Sequence, residues 1–133
     1  MTSPRRNTKQ RDTILHVIEA ARGPLSVQEI LDQAQQSLPK LGIATVYRTL
    51  RMLQDDHQIK TVILPSGENR FEKANLGHHH HFQCLKCGEV VDLDMCPLNI
   101  PTGTLLPGGY SVEAHELTLY GTCPKCQDSP AFR

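Results

Sequence analysis

No apolar run in the 133-residue chain approaches the ~20 residues that a bilayer-spanning helix needs, so a membrane helix is excluded and no membrane partner is expected. No charged-then-apolar leader marks it for export, and the expected compartment is cytoplasmic. Net charge is also missing: 14 Lys and Arg balance 14 Asp and Glu. No His-Glu-x-x-His pattern occurs, and no general base beside a substrate pocket is evident. A metal-dependent hydrolase, with an open zinc activating water, is therefore kept only as the alternative to a non-enzymatic metal protein.

The zero net charge hides an asymmetry. Residues 1–60 carry a balance of +3 and residues 61–133 a balance of −3. The front half suits a polyanion and the back half suits cations. Every cysteine and six of the seven histidines fall after residue 56. The division this predicts is an amino-terminal module over 1–73, a hinge over 74–77 and a metal-binding module over 78–133.

Cys84-Leu85-Lys86-Cys87 and Cys123-Pro124-Lys125-Cys126 are two Cys-x-x-Cys knuckles. Each offers two thiolates at the bite of a tetrahedral ion, and together they make one structural zinc site. Two disulfides, or buried thiols of no special role, are the alternatives. Knuckles of this spacing are strained as internal disulfides, and five cysteines leave Cys96 over, which argues for a reducing compartment. Cys96 itself is expected to be a small buried apolar residue, a redox role being the other reading.

Ahead of the first knuckle runs His78-His79-His80-His81. On a strand, successive side chains point to opposite faces. His79 and His81 then share one face, and His78 and His80 the other, so two neighbouring metal sites can arise from four residues.

The front module reads as three helices and a hairpin. Ile14, Leu15, Val17, Ile18 and Ala21 form a stripe at helical spacing, with Thr8 as the expected N-cap and Gly23-Pro24 as the stop. Ser26-Val27-Gln28-Glu29 fits a capping box for a second helix that ends before Pro39. A third helix, Ile43 to Asp56, turns Val46, Leu50 and Leu53 inward and leaves Thr45, Tyr47, Arg48 and Arg51 outside. Ile59–Leu64 and Asn69–Glu72, joined through Pro65-Ser66-Gly67-Glu68, make the hairpin. The expected fold is α+β: a winged helix-turn-helix followed by a small β-rich α/β dimerisation domain with a four-cysteine zinc site. In that fold the third helix enters a major groove of double-stranded DNA, Arg48 donating to guanine and Tyr47 packing on a thymine methyl. Arg5, Arg6, Lys9 and Arg11 would meet phosphates; the alternative is that all of these are ordinary solvated faces.

Arg6-Asn7-Thr8-Lys9-Gln10-Arg11, Ala44-Thr45-Val46-Tyr47-Arg48-Thr49-Leu50, His78 to Cys87, and Leu119-Tyr120-Gly121-Thr122-Cys123, in that order, resemble the ferric uptake regulator superfamily over nearly the whole chain. The resemblance implies a homodimer that binds palindromic operators when loaded with metal and represses uptake or stress genes. It implies a sensing site of Glu72, His79, His81 and Asp92 for a second divalent metal, and an accessory site of His78, His80, His115 and an acid, for which Asp94 and Glu113 are candidates. His115 is placed on a strand from Tyr110 to Thr122, returning beside the histidine run. Two departures from the family stand out. Pro24 occupies a place where many relatives have a histidine ligand, and Cys96 to Gly109 reads as a loop where relatives carry a helix. Lys73 stands where zinc-sensing relatives often have a cysteine, so the nitrogen and oxygen donors suit iron or manganese as well as zinc. Asp92 resembles the peroxide-sensing branch and the histidine run the zinc-uptake branch, which leaves the effector open.

Overall fold

A computed structural model describes residues 4–76 and 79–127, and the chain divides into two compact units, Met1–Leu76 and Gly77–Arg133. In the first unit, α1 spans Pro4–Ala20. It starts four residues before the expected cap at Thr8, because proline suits a first helical turn, where its missing N–H has no intrahelical acceptor. α2 (Val27–Ala34) carries the capping box as expected: Ser26 Oγ accepts from Glu29 N at 3.1 Å, and Glu29 Oε1 accepts from Ser26 N at 3.0 Å. The same Glu29 oxygen accepts from Arg70 Nη1 at 2.8 Å, so one carboxylate caps the helix and anchors the wing.

α3 (Ile43–Asp55) buries Val46, Leu50 and Leu53 against Ile14, Ile18, Ile30 and Leu31. It ends in a Schellman-type cap, with Gln58 N donating to Leu53 O and His57 N to Gln54 O. His57 takes the left-handed conformation this requires, at φ 59°. The reversal feeds β1 (Ile59–Ile63), which pairs antiparallel with β2 (Asn69–Lys73) from Ile59↔Lys73 to Ile63↔Asn69. Gly67, at φ +93°, supplies the turn that a side chain would strain. Leu25 bridges Phe71, adding a short third pairing to the wing that no sequence pattern announces.

The second unit is built differently. β3 (His80–Cys84) lies between β4 (Val90–Leu93), antiparallel to it, and β7 (Thr118–Gly121), parallel to it. The single strand expected over Tyr110–Thr122 is broken. β5 (Leu105–Leu106) and β6 (Tyr110–Ser111) form their own hairpin, and the chain then crosses to the sheet. The hairpin turns through Pro107-Gly108-Gly109, and a Cβ on Gly108 would lie 2.9 Å from the Tyr110 ring. A short helix, α4 (Pro124–Gln127), follows the return strand. No helix occupies 96–109, in keeping with the Pro and Gly content.

The units differ most in what they bury. The contiguous apolar cluster belongs wholly to the first unit, whereas in the second, among the described residues, the buried apolar side chains are Cys84, Val90 and Cys123. So small a core does not hold a unit of this size without a staple. Among the described residues no helix is long and apolar enough to cross a membrane.

Candidate metal centres and reading face

Cys84 closes β3, Cys87 follows the tight turn after it, and Cys123 and Cys126 flank the entry to α4. All four sulfurs lie within 4.8 Å of one another, and none is in a disulfide. Cys87 Sγ and Cys123 Sγ are 3.8 Å apart. A tetrahedral ion with bonds of about 2.3 Å to sulfur sets an edge of about 3.8 Å, so the thiols fit zinc. Backbone N–H groups of Cys87 and Cys123, the latter 3.4 Å from Cys84 Sγ, pull the Cys84 pKa from 9.0 to about 6. Cys126 is pushed up to about 12, first by its hydrogen bond with Cys123 and then by desolvation. One thiol is thus ionised near neutrality, and a metal would displace the proton from another.

Of the described histidines, His79 and His81 join one cluster and His80 another, although β3 begins only at His80 and His79 precedes it. His78 lies outside the described residues. His79 Nε2 and His81 Nε2 approach Asp92 Oδ1 at 3.7 and 3.3 Å, their rings 5.0 Å apart and nearly perpendicular. Asp92 is the cross-strand partner of His81 in β4. Its Oδ1 is buried and, among the described residues, has no hydrogen-bond partner. A buried carboxylate oxygen left orphaned between two imidazole nitrogens is what a cation site looks like when described by its donors alone. Glu72 belongs to the first unit, on β2, where it is 2% exposed and its Oε1 lies 3.5 Å from Lys60 Nζ. Pro24 is buried and offers no donor.

His80 points the other way. Its Nε2 lies 3.2 Å from Cys96 Sγ and 3.1 Å from His115 Nε2, and Cys96 Sγ is 3.3 Å from His115 Nε2. The third member of this group is therefore a thiol; neither Asp94 nor Glu113 joins it. Cys96 is not the buried apolar residue expected of it but an exposed one in the loop after β4. Its odd count among five cysteines is the one available signal, and sequence spacing alone does not show where the loop folds.

On α3, Tyr47 is 57% exposed, Arg48 is exposed and Thr45 half-buried, all on the side away from the core. Arg48 Nη2 donates to Thr45 Oγ1 at 3.0 Å, which holds the guanidinium along the outer face. Lys9 is exposed on α1, and Arg11 is held at 3.5 Å from Asp56 at the end of α3. Arg6 lies in α1, its side chain outside the described part.

A winged helix joined to a small sheet bearing a thiolate tetrahedron and two imidazole clusters defines a class, the transcription factors that carry their own metal module. Residues 3–120 match the sequence model of the ferric uptake regulator family, and the chain belongs to that family. It is similar to the ferric uptake regulation protein of Campylobacter jejuni, 28% identical over 93% of this chain and 81% of that one. It is likewise similar to the peroxide-responsive repressor PerR of Staphylococcus aureus, 30% identical over 92% and 83%. Among solved structures, a zinc-bound manganese uptake regulator superposes with a TM-score of 0.70 at 25% identity, over 86% of this chain and 88% of that one. The chain is accordingly a metal-dependent transcriptional regulator and not an enzyme, and the hydrolase alternative falls. Regulators of this family are DNA-binding, dimeric proteins.

Proposed function

We propose that the chain is a cytoplasmic, homodimeric repressor that binds palindromic operators when a divalent cation is held by Glu72, His79, His81 and Asp92. In this reading Cys84, Cys87, Cys123 and Cys126 hold a structural Zn2+. The observation that carries the sensing role is the orphaned Asp92 Oδ1 facing two imidazoles. Glu72 supports it as a buried carboxylate on the strand that leads to the unit boundary, an oxygen donor of the kind divalent cations take. A bound Fe2+, Mn2+ or Zn2+ would supply positive charge between two carboxylates, and the nitrogen and oxygen donors suit all three.

Glu72 and His79 lie on either side of the boundary at Leu76/Gly77. Drawing both side chains to one point restrains that connection, and the two copies of α3 are then presented at half-site spacing. Arg48 and Tyr47 read base edges, Thr45 positions Arg48, and Arg6, Lys9 and Arg11 lie along phosphates. The dimer is supported by the apolar surface of the second unit, where Leu105 is 73% and Tyr110 71% exposed beside Leu106. The target genes proposed are those of metal uptake or oxidative stress.

The test is a titration of the zinc-filled protein against palindromic duplexes selected from a random pool, with Zn2+, Mn2+ and Fe2+ in turn. Added cation is expected to tighten binding by roughly tenfold or more. Affinity should also fall linearly on a log–log plot against salt as phosphate contacts are lost. Duplex binding of equal strength with every cation and with none would overturn the proposal.

A further inference from the structure

Glu72 meets a positive charge within its own unit. β1 and β2 pair in the register Lys60↔Glu72, and Lys60 Nζ lies 3.5 Å from Glu72 Oε1. Directly opposed residues of an antiparallel pair stand on the same face of the sheet, their Cβ atoms about 5 Å apart, so the register itself sets this contact. Arg70, two residues earlier on β2, is committed elsewhere. Its Nε donates to Glu68 Oε1 at 3.0 Å and its Nη1 to Glu29 Oε1 at 2.8 Å.

The partners of the Lys60–Glu72 pair are unequal. The Glu72 side chain is 3% exposed and that of Lys60 is 49% exposed. The carboxylate is fixed in the hairpin, whereas the ammonium stands on a flexible stem beside solvent and turns away at little cost. On the ligand set proposed above, this one carboxylate has two claimants, the lysine of its own hairpin and the divalent cation. Glu72 and Asp92 together balance a dication, and an ammonium beside them adds a positive charge that repels it.

We propose that Lys60 is a built-in competitor for the sensing cation: it pairs with Glu72, yields the carboxylate when the cation binds, and so sets the cation concentration at which the regulator responds. Lys60 tunes the site without being a ligand. Glu72 keeps a countercharge on both sides of the exchange, which a buried carboxylate requires. A neutral side chain at position 60 leaves Glu72 to the cation alone, and affinity rises. If Lys60 were instead a strut holding Glu72 in place for the cation, its loss would lower affinity, so the sign of the change separates the two roles.

The test is the Mn2+ affinity of the full-length protein, its four knuckle thiols first filled with Zn2+, measured by competition with a metallochromic indicator. Lys60→Met and Lys60→Gln should tighten Mn2+ binding by roughly three- to tenfold, and Lys60→Arg, which keeps the charge, should stay within about twofold of the wild type. In a Glu72→Gln background, Lys60→Met should change nothing. Heat denaturation gives a second readout. Without Mn2+, Lys60→Met should melt below the wild type, because Glu72 has lost this countercharge, and saturating Mn2+ should raise its midpoint by more than it raises that of the wild type. Unchanged or weaker Mn2+ binding in Lys60→Met, or an equal gain in the Glu72→Gln background, would overturn the proposal. Neither result removes Glu72 as a ligand. That is read from Glu72→Gln alone, where an unaltered Mn2+ affinity would take Glu72 out of the sensing set and this role of Lys60 with it.

Discussion

Cys123→Ser, or dialysis of the wild type against a strong chelator, will unfold the carboxy-terminal unit and leave the amino-terminal unit folded. The two halves differ in what holds them. The first has a continuous apolar core running from Ile14 through Leu53 to Phe71, whereas the second buries Val90, Cys84 and Cys123. Structural zinc contributes apparent free energies of about 10–16 kcal/mol at neutral pH, as much as or more than the whole stability of a typical domain. Removing one thiol leaves three donors for a tetrahedral ion that takes four, so the loss should be close to complete. Amide hydrogen exchange reads the outcome by segment. Metal-free protein should lose protection across β3, β4 and β7 while α1, α2 and α3 retain it. Persistent protection of β3 without metal would show that packing alone suffices.

His81→Ala will bring the duplex affinity of the metal-loaded protein down to that of the protein without sensing metal, a drop of about 5–150-fold, while the knuckle zinc stays in place. His81 and Asp92 are cross-strand neighbours at 3.3 Å, so the alanine removes one donor and leaves the Asp92 carboxylate with half of its imidazole company. Asp92→Asn keeps the shape and removes the charge, and it should lower affinity in the same direction. Elemental analysis alongside fluorescence anisotropy separates the two sites: one zinc per chain retained, metal-dependent duplex binding lost. Wild-type metal dependence in His81→Ala would remove this residue from the proposed set.

Much of the fold is legible in the sequence because local chemistry and tertiary structure agree. The Ser26–Glu29 box, the Val46/Leu50/Leu53 stripe and the Pro-Ser-Gly-Glu turn each state their element in a few residues, and the structure has all three. The knuckles are legible for the same reason, since two residues between cysteines fix a bite that the chain cannot easily use otherwise. What escapes is non-local. The break of Tyr110–Thr122 into β6 and β7 follows from a hairpin that closes through Gly108 and Gly109, and a continuous β-prone stretch does not show where it changes partners. An isolated cysteine is usually a core residue, and Cys96 reads as one until the loop is seen. Its approach to His80 depends on how the Pro-rich loop after β4 turns, which no periodicity encodes. Helix α1 begins early because Pro4 is a better start than Thr8 is a cap.

The central claim is that cation binding and DNA binding are one coupled equilibrium. The most direct test is the dissociation constant of the sensing cation, measured on zinc-filled protein with and without saturating palindromic duplex. Linkage requires the duplex to tighten cation binding by the factor by which the cation tightens duplex binding, and His81→Ala should abolish both effects. The same cation affinity in the presence and absence of duplex would contradict the account.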